Sequence, residues 1–125
     1  MSEPVQMDMS ELTEEDITLD KLIGNWKIFQ LKRGHRFSVD DQMTAVIAAE
    51  LVPNAKRMLD IGAGIGSVGL MTLYKLPSDA VLTMIEAQNI SHQLAKRTIA
   101  HNNLEHRTKP LFGDLRDTSQ LQGER

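Results

Sequence analysis

Met58-Leu59-Asp60-Ile61-Gly62-Ala63-Gly64-Ile65-Gly66-Ser67-Val68-Gly69-Leu70 is the stretch that decides how this 125-residue chain is read. An apolar run, Arg57 to Ile61, has the length and composition of a buried strand. Three glycines follow at alternate positions, and Gly66 to Leu76 then has helical periodicity, stopped by Pro77. A strand, a glycine turn and a helix in that order form the setting in which a nucleotide-binding turn operates. The first glycine lets the chain leave the strand sharply, the second lets bare backbone approach a ligand, and the third lets helix and strand pack closely.

The same alternation continues downstream. Val81 to Ile85 reads as a second strand, and Ser91 to Asn102 as a helix with Leu94, Ala95, Thr98 and Ile99 inward. Lys109 to Phe112 opens a third strand that ends at Gly113-Asp114. Strands alternating with helices of this length predict a parallel sheet with right-handed crossovers. Upstream, Ser38-Val39-Asp40-Asp41 is a variant capping box whose acids suit the positive end of a helix. Met43, Val46, Ile47 and Leu51 then predict the buried face of that helix, which Pro53 ends. Earlier still, apolar stretches flank Gly24-Asn25 between Thr18 and Leu31, and this predicts a β-hairpin with Trp26 and Phe29 on opposite faces. Residues 1–16 are acidic and lack apolar periodicity, so they are expected to form a flexible leader.

Composition narrows the class. Hydrophobic residues make up 41% and charged residues 25%, as in a globular domain, and the length suits one domain. No apolar run is long enough for a membrane span, and the amino terminus lacks a secretory pattern. With no cysteine, disulfides and thiolate zinc sites are excluded, and a cytoplasmic protein is the expectation. Seven of the 17 acids fall within the first 20 residues, which carry no Lys or Arg. The rest of the chain has 14 basic and 10 acidic residues, a formal +4. A basic body is compatible with a polyanionic partner and equally with an ordinary solvated surface.

The acids around the glycines point to a ligand type. A dinucleotide fingerprint wants Gly or Ala at the sixth position from Gly62, where this chain has Ser67. Asp60, two residues before the first glycine, would repel a pyrophosphate and could help hold the ammonium group of a methionine moiety. This favours S-adenosylmethionine over NAD, with a tight turn that binds nothing as the bland alternative. Glu86 closes the second strand, where Rossmann-type sites place an acid against ribose hydroxyls. Asp114 closes the third, placed to accept from an adenine amine. Three acids at three successive strand ends line the carboxyl edge of the sheet, where open α/β sheets bind ligands.

Asp60-Ile61-Gly62-Ala63-Gly64 resembles the first motif of class I S-adenosylmethionine-dependent methyltransferases. The stretch Gly34-His35-Arg36-Phe37-Ser38-Val39-Asp40-Asp41 is similar to the segment that precedes this motif in bacterial enzymes methylating adenine N6 in valine tRNA. The resemblance covers residues 17 to 117. It implies a Rossmann-like methyltransferase fold of strand order 3-2-1-4-5-7-6, with the cofactor held by Asp60, Gly62, Ala63, Gly64, Gly66, Glu86, Ala87, Asp114 and Phe37. It also implies tRNA or another nucleic acid as partner. The family's amine-methylating enzymes carry an [Asn/Asp/Ser]-Pro-Pro-[Tyr/Phe] motif on the fourth strand. Here Pro4, Pro53, Pro77 and Pro110 are all isolated, so that motif and any catalytic residue are missing. Residues 17–125 are therefore expected to be the cofactor-binding half of such a domain, truncated after its third core strand and inactive alone. Its first core strand would be exposed to pairing with another chain.

Other features carry less. Lys32, Arg33, His35 and Arg36 form a basic cluster that could face tRNA phosphates or simply solvent. His35, His92, His101 and His106 lack ligand spacing, so no metal site is expected. Ser67 and Ser91 read as turn and cap residues. The alternative functions are an NAD-dependent oxidoreductase fragment and a non-catalytic Rossmann-type binding module.

Overall fold

The computed structural model describes residues 13–34 and 36–114. An antiparallel hairpin, β1 (Ile17–Ile23) and β2 (Trp26–Leu31), precedes helix α1 (Val39–Leu51). The remainder alternates strand and helix: β3 (Arg57–Ile61), α2 (Ser67–Lys75), β4 (Val81–Glu86), α3 (Asn89–His101) and β5 (Thr108–Phe112). The last three strands form a parallel sheet of order β3-β4-β5. Its register sets Asp60 beside Met84, and Glu86 beside Phe112. Architecture, hairpin and parallel sheet agree with the sequence, and the strand bounds agree to within a residue.

The core lies between this sheet and the helices. Leu70, Met71 and Leu73 of α2 meet Leu82 and Met84 of β4, and Leu94, Ala95 and Ile99 of α3 are buried as expected. Close packing is enforced by glycine. A Cβ on Gly69 would stand 2.9 Å from Asp60 Oδ2 and 3.0 Å from a Leu82 methyl. The hairpin docks on α3 through polar contacts as well as burial of Ile28. The Phe29 amide donates to Thr98 Oγ1 at 2.9 Å, and Asn102 bonds both the amide and the carbonyl of Lys27. Arg97 lies 4.3 Å from the Phe29 ring centroid, and Trp26 meets Tyr74 edge to face.

Four expectations need correction. The leader falls mostly outside the described residues, but Glu14–Asp16 forms a 3-10 turn, with the Thr13 amide bonded to Asp16. The α3 helix starts at Asn89, so Ser91 lies inside it and is no cap. Arg36 is no free cation: it bonds Asp20, Thr18 and the Leu31 carbonyl, fastening the β2–α1 connection to the hairpin. The buried face of α1 is also different. Ala45 and Ala49 are buried, whereas Met43, Ile47 and Leu51 are 54%, 52% and 76% exposed. Small side chains let α1 approach α2 closely, and periodicity marks which residues share a face without showing which face meets a neighbour.

Backbone direction along β3 decides which of its polar groups pair with β4. Lys56 accepts from the Val81 amide and the Gly62 amide donates to Ile85, so alternate residues between them face β4. Arg57, Leu59 and Ile61 therefore turn their amide and carbonyl groups away from it. Among the described residues β3 is an edge strand, with Leu59 and Ile61 about half exposed. No described helix is long and apolar enough to cross a membrane.

Candidate functional site

The turn after β3 has three left-handed glycines, with φ of +69° at Gly62, +60° at Gly64 and +94° at Gly66. Residues with a Cβ rarely adopt these angles. The amides of Gly62 and Ala63 both donate to the Ile85 carbonyl, at 2.8 and 3.0 Å, which anchors the turn to the end of β4. A Cβ at Gly62 or Gly64 would meet nothing within 4 Å, so the turn presents bare backbone to open space. Gly66 differs, because a Cβ there would come within 2.7 Å of Met84 Cε. It caps α2, and its carbonyl accepts the Leu70 amide.

Glu86 fixes the turn from the neighbouring strand. Its Oε1 accepts from the Gly64 amide at 2.7 Å and its Oε2 from the Gln88 amide at 2.8 Å. Each oxygen keeps a further acceptor position. The Glu86 carbonyl accepts from Gly113 at 3.0 Å, which brings the end of β5, and with it half-buried Asp114, alongside. Ala87 is exposed between Glu86 and Gln88.

Asp60 lies on the face of β3 that meets α2, against Gly69 in the helix's first turn. Its Oδ2 is buried without a hydrogen-bond partner. Burial, and then the negative charge of Glu86, push its pKa above the ordinary carboxylate value. The Gly69 amide offsets part of this without forming a hydrogen bond to Oδ2. Two carboxylates thus flank the turn, one bonded to its backbone and one held back beneath the helix.

The segment before α1 closes on the same place. The Phe37 amide donates to Gln30 Oε1 at 3.0 Å, and its half-buried ring packs on the core. Asp41 Oδ2 accepts from the Ser38 amide, as the capping-box spacing implied, and also from Ser67 Oγ at 3.3 Å. Sequence reasoning missed this second contact. The spacing located an acid at the start of a helix but carried no sign of a partner 26 residues away. His35 lies outside the described residues, while Lys32 and Arg33 are exposed. His92 is buried against Phe112, with its pKa lowered by burial and then by Lys96, against an opposing effect of Glu86. Among the described residues no cluster of metal-ligating side chains occurs.

Solved methyltransferases are among the structures whose fold this chain resembles. The chain superposes on Methanocaldococcus jannaschii Trm5 in complex with adenosine with a TM-score of 0.65 and 21% identity, covering 81% of this chain and 31% of that one. An O-methyltransferase from Bacillus cereus in complex with S-adenosylhomocysteine gives 0.60 and 20%, covering 74% and 42%. A putative O-methyltransferase from Klebsiella pneumoniae gives 0.56 and 23%, covering 73% and 39%. At these identities the likeness is one of fold, and the chain spans less than half the length of each. None of the curated proteins matches the sequence. Residues 32–122, well over half of the chain, match the methyltransferase small domain. This 125-residue chain therefore belongs to the methyltransferase small-domain family.

Proposed function

We propose that this chain is the S-adenosylmethionine-binding half of a methyltransferase whose acceptor is an adenine amino group in tRNA. The observation that carries the cofactor reading is the glycine turn: bare backbone at Gly62 and Gly64, open outward and pinned to Glu86. The residues fit the cofactor's chemistry. The turn admits the methionine portion, Glu86 has acceptor capacity left for ribose hydroxyls, and the carboxylate of Asp60, two residues before Gly62, would favour the ammonium group of that portion by charge. Ala63, Gly66, Ala87, Asp114 and Phe37 complete the proposed site.

When bound, the cofactor supplies an electrophilic methyl group. The work of this chain is to hold and orient that group by backbone shape and fixed charge. Its prolines are isolated, so it carries no amine-accepting Pro-Pro-aromatic motif, and we expect binding without turnover from these residues alone. The tRNA reading is supported by the resemblance over Gly34 to Asp41 and by exposed Lys32 and Arg33. A structural neighbour determined with tRNALeu points the same way.

Titration calorimetry tests the cofactor reading. S-adenosylhomocysteine should bind and NAD should not; NAD binding with no response to S-adenosylhomocysteine would overturn it. For the acceptor, the chain should retard tRNA at low salt, and Lys32→Ala with Arg33→Ala should weaken retardation. Retardation unaffected by both substitutions and by salt would count against tRNA as the partner.

A further inference from the structure

We infer that Asp41 is a specificity-determining residue: with Asp60 it fills the amino end of α2 with the protein's own carboxylates, so that the turn rejects phosphate-bearing nucleotides. This rests on the reading of the turn as a nucleoside site and adds how that site chooses among nucleosides.

A glycine turn that opens a helix is by default a place for phosphate. The amides of the first helical turn have no acceptor within the helix, and the helix end carries partial positive charge. Ser67, Val68 and Gly69 are those residues in α2. The chain meets this end with acids from two different elements. Asp41 arrives from α1 and is held by the hydroxyl of Ser67, the first residue of α2, itself only 7% exposed. Asp60 arrives from β3 and lies against Gly69. Glu86 adds a third negative charge at Gly64. Arg36, the cation in the segment leading to α1, is engaged elsewhere, with Asp20. An incoming diphosphate would face like charge where the backbone alone would welcome it. A ligand with an ammonium group meets no such barrier.

The clasp also gives Ser67 a use. At this position a dinucleotide fingerprint has Gly or Ala, neither of which has a hydroxyl to hold Asp41.

The experiment titrates the full chain and three variants, Asp41→Asn, Asp41→Asn with Asp60→Asn, and Ser67→Ala, with adenosine, S-adenosylhomocysteine and ADP. Asparagine keeps an acceptor for Ser67 and removes only the charge. Wild type should bind S-adenosylhomocysteine and give a flat ADP titration. Asp41→Asn should weaken S-adenosylhomocysteine roughly tenfold, leave adenosine within about twofold and make ADP binding measurable, most of all in the double variant. Loss of adenosine and S-adenosylhomocysteine together, with no gain of ADP binding, would show a merely structural role and overturn the inference. Equal exclusion of ADP by wild type and folded variants would also overturn it. Ser67→Ala deletes one hydroxyl and keeps every charge, so it reads the clasp even if a charge variant fails to fold. It should shift both ligands in the same directions by a smaller factor, and unchanged affinities would count against the proposal. If wild type ignores adenosine and S-adenosylhomocysteine, the nucleoside reading itself fails, whereas the ADP arm reports on Asp41 and Asp60 separately.

Discussion

The Gly64 amide donates a 2.7 Å hydrogen bond to Glu86 Oε1, joining the crest of the glycine turn to the end of the adjacent strand. A charged acceptor makes this bond stronger than a neutral one, and Gln88 uses the other oxygen, so one side chain orders two connections at once. Glu86→Ala should therefore cost about 1–3 kcal/mol of stability, from two amides left without their partner. It should weaken S-adenosylhomocysteine by more than tenfold, about 1.4 kcal/mol or more. Urea denaturation and calorimetry measure the two effects. A stability loss with unchanged affinity would mean that Glu86 only builds the turn.

Two of the turn's left-handed glycines, Gly64 and Gly66, should behave differently on substitution by alanine. At Gly64 the new Cβ meets nothing within 4 Å, so the cost is the backbone conformation alone, about 1–2 kcal/mol. The same methyl then occupies the space a ligand needs, and binding should fail in a folded protein. At Gly66 the methyl also runs into Met84 Cε, so urea denaturation should show a larger loss than at Gly64. Equal losses at the two positions would contradict the packing described for Gly66.

The contrast between Gly64 and Asp41 shows how far the sequence could be read. Glycines at alternate positions after an apolar strand have few uses, so the turn and the parallel sheet were legible from spacing alone. Glu86 was legible as an acid at a strand end, but its bonds to Gly64 and Gln88 needed the chain's path through space. Asp41 was legible only as a helix cap, because its other partner comes from a distant segment. Arg36 misled for the same reason: its partners Asp20 and Thr18 sit in a hairpin whose register is a tertiary fact. Local pattern fixes what lies within one or two turns of a residue, and contacts between elements depend on packing that a single chain does not print.

Asp60 predicts a stability cost at neutral pH. Its pKa in the folded protein is raised, by burial first and Glu86 second, so the folded state holds this proton more tightly than the unfolded state. The contribution favours folding at low pH and is lost as pH rises from the unfolded value through the raised one, above which the charge is an uncompensated penalty. Asp60→Asn should therefore raise stability above that window and leave it nearly unchanged at low pH, while weakening S-adenosylhomocysteine. Asp20 runs the other way. Its pKa is lowered, chiefly by the Thr18 hydrogen bond and further by Gln30 and Arg36, so its contribution is present above the unfolded value and lost as pH falls through the folded one. Asp20→Asn should flatten the acid limb of a pH–stability curve. A pair of unchanged limbs would sink both assignments.

The hairpin should be held by a small number of replaceable bonds. Thr98 is fully buried and its hydroxyl is the acceptor for the Phe29 amide. Thr98→Val keeps the shape and removes that acceptor, leaving a backbone donor unsatisfied at a cost of about 1–3 kcal/mol. Hydrogen exchange should accelerate at Phe29 more than in β4. Exchange at Phe29 as slow as in wild type would show that the contact is dispensable.

Association should follow from surface that the described fold leaves uncovered. Val39, Met43, Ile47 and Leu51 recur every four residues along α1 and are 70%, 54%, 52% and 76% exposed, while Leu59 and Ile61 stand half exposed on an edge strand. Unpaired backbone beside exposed apolar side chains favours pairing with another chain, so sedimentation should show mass rising with concentration. Ile47→Glu with Leu51→Glu should suppress that rise. Because both side chains already face water, the pair should change stability by no more than about 0.5 kcal/mol each in urea. These two positions also lie away from the glycine turn, so affinity for S-adenosylhomocysteine should be retained. A concentration-independent monomer in the wild type would refute the association. Unfolding of the double variant would instead show that this ridge is buried in solution, against another copy or another part of the chain.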